Sequence, residues 1–161
     1  MAILAYHLTW TCYGQWLHGD ARGYVDRHHR TPGTPYEHNH PDRYNAAANR
    51  MKAEAVWLSD SQRKIVGRAI REGCRYCRWT LVEQNVQPDH VHVVITTPEA
   101  SGKYARKFLK AWATRRLGAE SGGRRRWWTK GGKVEVIRDA IRLRQAVTYV
   151  REQPFPRVEE G

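Results

Sequence analysis

The sequence predicts an α+β fold, an antiparallel sheet of ferredoxin-like type with helices on one face and a further helix at the C-terminus, and three observations carry that prediction. Segments of period-two and period-3.6 hydrophobicity follow one another in the order β, long insertion, α, β, β, α, β, α. Two strand-like segments, 77–86 and 90–96, are separated only by Gln87-Pro88-Asp89, a turn that sets neighbours antiparallel. The chain has 161 residues, 40% of them hydrophobic, with 7 Trp and 8 Tyr. That is enough to bury a core without a disulfide framework or a structural metal. A single domain over 1–161 follows, with 11–58 as a loop-rich insertion.

The elements are justified in order. From Ile3 to Trp10 residues alternate, Leu4, Tyr6, Leu8 and Trp10 on one face and Ile3, Ala5, His7 and Thr9 on the other, as in a strand with two different sides. From Thr11 to about Asp42 the pattern dissolves under Gly14, Gly19, Gly23, Pro32, Gly33, Pro35 and Pro41. So long a loop is uncommon in a compact domain and often functional. Asp42 to Trp57 is rich enough in Ala, Arg, Met and Glu for a short helix. Ser59-Asp60-Ser61 caps the next one, whose stripe is Ile65, Val66, Ala69 and Ile70 and which Gly73 is expected to end. After strands 77–86 and 90–96, Pro98 precedes a helix from Ser101 to Leu117. Glycines at 118, 122 and 123 open a loop, Lys133 to Ile137 reads as an edge strand, and Arg138 to Gln153 as a last helix stopped by Pro154.

Charge points to a partner class. Lys and Arg number 28 against 16 Asp and Glu, a formal charge of +12 with a pI near 10.1, so a polyanion is expected, nucleic acid first. No apolar run approaches ~20 residues, and the N-terminus lacks a basic head followed by a long apolar stretch. Together with an odd count of three cysteines, this leads to the expectation of a cytoplasmic protein with reduced thiols and no membrane partner.

Chemistry concentrates in Pro88-Asp89-His90-Val91-His92-Val93-Val94-Ile95. With a period of two, Val91, Val93 and Ile95 face the core while His90 and His92 stand side by side on the opposite face, where two neutral imidazoles can grip one divalent cation. The competing reading is two histidines resting on a half-exposed sheet face. On the last helix Tyr149 and Gln153 are four residues apart, so a phenol and a carboxamide point the same way beside the stripe of Leu143, Ala146, Val147 and Val150. If that helix crosses the His face of the sheet, Gln153 completes the metal site and Tyr149 approaches the same ion. Taken singly, Tyr149 would be a core-edge aromatic and Gln153 an exposed helix end.

Asp-His-Val-His-Val-Val-Ile, Trp128-Thr-Lys-Gly-Gly-Lys-Val-Glu-Val136 and Tyr149-Val-Arg-Glu-Gln153 together resemble the HUH single-tyrosine transposases, which include the REP-associated tyrosine transposases and small insertion-sequence transposases. The resemblance begins at Tyr6-His7-Leu8-Thr9 and covers nearly the whole chain, with 11–58 as an elaboration. It implies a ferredoxin-like core whose C-terminal helix bears a nucleophilic tyrosine. On that basis Tyr149 is the nucleophile, His90 and His92 are metal ligands and Gln153 is the third ligand. The implied function is metal-dependent cleavage and strand transfer of single-stranded DNA through a 5′-phosphotyrosine, in transposition or a domesticated derivative of it. Mg²⁺ or Mn²⁺ suits a mixed nitrogen and oxygen site with open positions. The implied partner is single-stranded DNA carrying hairpins, and both monomer and homodimer are open.

Arg106, Lys107, Lys110, Arg115, Arg116, Arg124, Arg125 and Arg126 are candidate phosphate contacts, and Trp127 and Trp128 candidate stacking platforms for unpaired bases. The opposing reading makes the arginines a solvated face and the tryptophans core. Two rivals compete with the whole assignment. Cys74-Arg-Tyr-Cys77 with some of His18, His28, His29, His38 and His40 could form a zinc set. A four-stranded sheet with exposed aromatics could instead be a non-catalytic single-stranded RNA- or DNA-binding module, a reading that uses neither the His pair nor Tyr149.

Overall fold

Alternating hydrophobicity produces four strands, β1 (Ala5–Thr11), β2 (Thr80–Val86), β3 (His90–Thr96) and β4 (Lys133–Ile137). Three capped amphipathic segments form α1 (Asp60–Cys77), α2 (Gly102–Ser121) and α3 (Ala140–Arg151). The structure, a computed structural model, describes residues 2–15, 55–123 and 126–158. The sheet runs β2-β3-β1-β4 with every neighbouring pair antiparallel, so the fold is the α+β class that the pattern predicts and β4 is an edge strand as expected. Among the described residues no helix is long and apolar enough to cross a membrane.

Period-two alternation gives each central strand two jobs. Leu8 and Trp10 of β1 with Val91, Val93 and Ile95 of β3 enter a large core closed by Val66 and Ile70 of α1 and Leu109 and Leu117 of α2. The opposite face carries Ala5, Val94 and Ile137 against Ala146 and Val150 of α3. Helix α3 therefore lies across the face of the sheet that bears His90 and His92.

Several boundaries differ from expectation. Helix α1 does not end at Gly73 but runs to Cys77, where Arg78 takes the left-handed conformation at φ 59° and its N–H reaches the Arg75 and Cys74 carbonyls. Gly73 serves packing instead: a Cβ there would lie 3.0 Å from Leu109 Cδ2 and 3.5 Å from Trp112 Cγ, so its bare backbone lets α1 and α2 approach. Strand β2 accordingly begins at Thr80 rather than Cys77. Helix α2 continues past Leu117 to Ser121 because Gly118 sits on its open side. Helix α3 is shorter than 138–153, starting after the N-cap Asp139 and ending at Arg151. Gln153 precedes Pro154, whose ring disfavours helical backbone in the residue before it. Residues 55–59 are not helical, so the helix expected over 42–57 does not reach Trp57, and 42–54 lie outside the described residues.

Candidate functional site

The register of β1 on β3 sets Thr9 opposite His92 and His7 opposite Val94, so His7, Thr9, His90 and His92 share one face of the sheet. His92 is almost fully buried at 4% exposure. Its Nδ1 lies 3.0 Å from His7 Nε2 and 3.1 Å from Thr9 Oγ1. His90 is oriented from its own strand, Nδ1 standing 2.7 Å from Asp89 Oδ1. Each imidazole thus has its Nδ1 engaged by a neighbour, which leaves Nε2 as the remaining ring nitrogen. This is how metal-binding histidines are ordinarily held.

Helix α3 supplies the other half. Tyr149 sets its ring 5.4 Å from the His92 ring and 5.9 Å from that of His7, both edge-on, while remaining 58% exposed. Gln153 lies beyond the helix, yet its Nε2 donates to the Tyr149 carbonyl at 2.8 Å, fixing the amide so that Oε1 stands 3.2 Å from His90 Nε2. If Asp89 holds the His90 proton on Nδ1, two lone pairs face each other across that gap, an arrangement that a cation between them relieves. Two imidazoles and a carboxamide oxygen form a donor set suited to a divalent ion with open positions. No group of three or more His, Cys, Asp or Glu gathers into a metal site among the described residues.

The end of α3 is clamped to the sheet by buried amides. Asn85 Nδ2 donates to the Val150 carbonyl at 2.8 Å, and Gln87 Nε2 donates to Asn85 Oδ1 and to the Phe155 carbonyl, both at 3.0 Å. The Phe155 N–H donates back to Gln87 Oε1 at 2.9 Å. Arg63, also buried, donates from Nη2 to the Pro156 carbonyl at 2.7 Å and from Nε to the Val86 carbonyl at 2.8 Å. Glu83 pairs with Arg151 at 2.6 Å and with Arg157. These bonds bracket Gln153 on both sides along the chain.

Electrostatics favours neutral imidazoles here. Burial, then the neighbouring His90 and His7, push the His92 pKa down to about 3, and burial likewise lowers that of His7. A neutral ring is the form that binds metal.

His90, His92, Tyr149 and Gln153 are therefore brought together, while the nucleic-acid candidates scatter. Trp127 is core at 3% exposure, and Trp128 is half-buried with its indole N–H donating to Lys110 O and Thr114 Oγ1. Burial of Trp127 corrects the expectation that it stacks a base, while Trp128 has its indole N–H committed to α2. Lys110 donates to the Thr129 and Gly131 carbonyls at 2.9 and 2.7 Å, and burial beside Arg106 lowers its pKa to about 8. Arg116 pairs with Glu72 at 2.6 Å. Arg115 lies over Trp112 at 5.3 Å and Arg126 over Tyr13 at 5.1 Å. Lys107 is exposed and Arg106 half-buried. Arg124 and Arg125 lie outside the described residues.

Cys74 and Cys77 both sit on α1 rather than straddling a helix end, and burial pushes the Cys74 thiol up to about 12, away from the thiolate that zinc needs. The histidines of the zinc alternative, His18 to His40, lie outside the described residues. Sequence reasoning did not assign site roles to His7, Thr9, Asp89, Asn85 and Gln87. His7 and Thr9 already shared a strand face by alternation, and the register onto His92 was the missing signal.

Comparison with curated proteins finds no match. Among solved structures, a REP-associated tyrosine transposase bound to a REP hairpin is similar with a TM-score of 0.54 and 15% identity, covering 93% of this chain and 67% of that one. A Deinococcus radiodurans protein assigned as a transposase gives a TM-score of 0.47 and 20% identity over 95% of this chain and 92% of that one. The sequence itself matches the family model described as Transposase IS200 like over residues 46–153, a span that includes both histidines, Tyr149 and Gln153. The chain accordingly belongs to the IS200-like transposases.

Proposed function

We propose that this protein cuts and rejoins single-stranded DNA through a covalent bond to Tyr149. The observation that carries this reading is the exposed phenol packed edge-on against His92, 5.4 Å between rings, next to the Gln153 Oε1 to His90 Nε2 contact of 3.2 Å. His90, His92 and Gln153 would hold a divalent ion, Mg²⁺ or Mn²⁺. When bound, such an ion supplies charge neutralisation on the phosphate oxygens. Tyr149, open to water that can take its proton, is the attacking group. Its oxygen forms a bond to phosphorus, the P–O3′ bond breaks, and the departing 3′-oxygen is protonated, leaving a 5′-phosphotyrosine. Because the phosphodiester is conserved in that link, a 3′-hydroxyl can attack it and restore DNA without ATP. Hairpin-bearing DNA is the substrate shape we favour, in keeping with the REP hairpin in the similar solved structure.

The test is incubation with a 3′-labelled single-stranded hairpin oligonucleotide and Mg²⁺ or Mn²⁺, followed by a denaturing gel. A shifted protein–DNA band is expected that disappears with EDTA and with Tyr149→Phe. A band surviving Tyr149→Phe would move the nucleophile to another residue and overturn the role given to Tyr149, while binding with no band under any of these conditions returns the protein to the class of non-catalytic nucleic-acid-binding modules.

A further inference from the structure

On the side of the sheet away from Tyr149, helices α1 and α2 expose a row of aromatic rings. Tyr104, Phe108 and Trp112 recur every four residues along one face of α2, and successive rings stack with centroids 6.3 and 5.5 Å apart at 28° and 30°. Tyr76, from the last turn of α1, lies nearly parallel to Phe108 at 11° and 5.2 Å from Trp112. Gly73 faces this convergence, since a Cβ there would press on Leu109 Cδ2 at 3.0 Å and reach van der Waals contact with Trp112 and Phe108. The row is open at Tyr76, 72% exposed, and Tyr104, 56% exposed, while Phe108 and Trp112 are half-buried against the core and present only their outer edge. A soluble chain seldom leaves so much contiguous ring surface open without a partner.

Charge indicates the partner. The acids of these two helices are engaged internally, Asp60 with Arg63, Glu72 with Arg116 and Arg68, and Glu120 with Arg68. Arg75, Lys103 and Lys107 have no acidic partner among the described residues, and Arg115 lies over the Trp112 ring. Uncompensated cations along a file of rings are what a flexible polyanion with flat bases requires, phosphates on the ammonium and guanidinium groups and bases on the rings. An acidic protein surface would find the cations but leave the rings unused. A duplex keeps its bases stacked internally and would likewise leave them idle.

We propose that the α1–α2 face, centred on Tyr76, Tyr104, Phe108 and Trp112, is a second binding track that takes unpaired nucleotides by base stacking, on the side of the sheet opposite the tyrosine centre. It rests on the reading that the protein handles single-stranded DNA, but it needs no cleavage. The geometry predicts sequence-tolerant binding, because every base has a face to stack.

The experiment uses the full chain carrying Tyr149→Phe, so that binding is read without covalent capture, and a short oligothymidine as probe in fluorescence anisotropy. Adding Tyr76→Ala and Tyr104→Ala together is expected to weaken binding about tenfold or more, while Tyr76→Phe with Tyr104→Phe, which retains both rings, restores it. Both positions are exposed, and an unchanged melting temperature verifies the fold. Photo-crosslinking with 5-iodouracil oligonucleotides should place adducts on Tyr76, Tyr104 or Phe108. Unaltered affinity in the double alanine variant, or adducts confined to the opposite face, overturns the proposal. So does a sedimentation result in which a dimer of the parent chain dissociates on the same substitutions, since the rings would then bind a second copy. Absence of a Tyr149 adduct in the unsubstituted chain would instead count against the cleavage reading and leave this track standing.

Discussion

A single imidazole, His92, illustrates how residue-scale chemistry builds the centre. In an unfolded chain a histidine protonates below about 6.5, whereas burial keeps His92 neutral down to about 3. The unfolded state therefore binds a proton over that interval that the native state refuses. Stability from this group is complete above about 6.5 and declines as pH falls from there toward 3. Thermal unfolding of the metal-free protein should show a melting temperature that drops between pH 7 and pH 4.5, and His92→Gln should flatten part of that drop. His7 and Thr9 hold the Nδ1 edge of the same ring. Removing both partners, as His7→Phe with Thr9→Val, should weaken Mn²⁺ binding by about 10- to 100-fold in calorimetry while the chain still folds. Spacing put His90 and His92 on one strand face and Tyr149 and Gln153 on one helix row, and the resemblance to the HUH transposases, not spacing, joined the two pairs. Trp127 was not legible, since a tryptophan beside an arginine run reads equally as core or as platform, and only packing separates the two.

Elements position these residues through a few contacts that bear disproportionate weight. Asn85 on β2 and Gln87 just after it hold the carbonyls and N–H of the chain on either side of Gln153. Asn85→Ala would leave the Val150 carbonyl without its side-chain donor and remove one of the two acceptors of the Gln87 amide, at a cost of about 1–3 kcal/mol in chemical denaturation. The yield of covalent adduct should fall with it, because Tyr149 and Gln153 lose their support. At the start of α2, a Cβ on Gly102 would come within 2.5 Å of Val134 Cγ1 and 2.6 Å of Tyr6 Cδ1. Gly102→Ala is accordingly expected to destabilise the fold by about 1–3 kcal/mol, measured the same way. Strand β3 and strand β4 were read to the residue from alternation. The ends of α1 and α3 were misjudged for opposite reasons: Gly73 was taken as a stop when close packing required it, and the residue before Pro154 was counted as helix although proline steric restriction excludes it.

At the scale of the whole molecule, two different surfaces flank one sheet. The α3 face gathers imidazoles, a phenol and an amide, and the α1–α2 face gathers rings and uncompensated cations. The order of elements followed from periodicity, whereas the side of the sheet that α3 covers stayed open until packing placed Ala146 and Val150 against Val94. The exposure of Tyr76 and Tyr104 did not follow from the pattern, whereas Phe108 and Trp112 are half-buried against the core on the apolar side of α2. A net charge of +12 makes binding to single strands steeply salt-dependent, each neutralised phosphate contributing about −0.7 to the slope of log K against log salt. Titrating oligonucleotide affinity against NaCl should give a linear plot whose slope becomes shallower with Lys103→Ala and Lys107→Ala.

The nearness of the Tyr149 phenol to the paired imidazoles is tested most directly by locating the covalent bond. After reaction of the protein with single-stranded hairpin DNA and Mn²⁺, nuclease trimming and tryptic digestion, mass spectrometry should find a phosphodeoxynucleotide on the peptide containing Tyr149, and none when His90 and His92 are replaced by alanine. A nucleotide found on another tyrosine, or on Tyr149 at the same yield without the two histidines, would contradict the account.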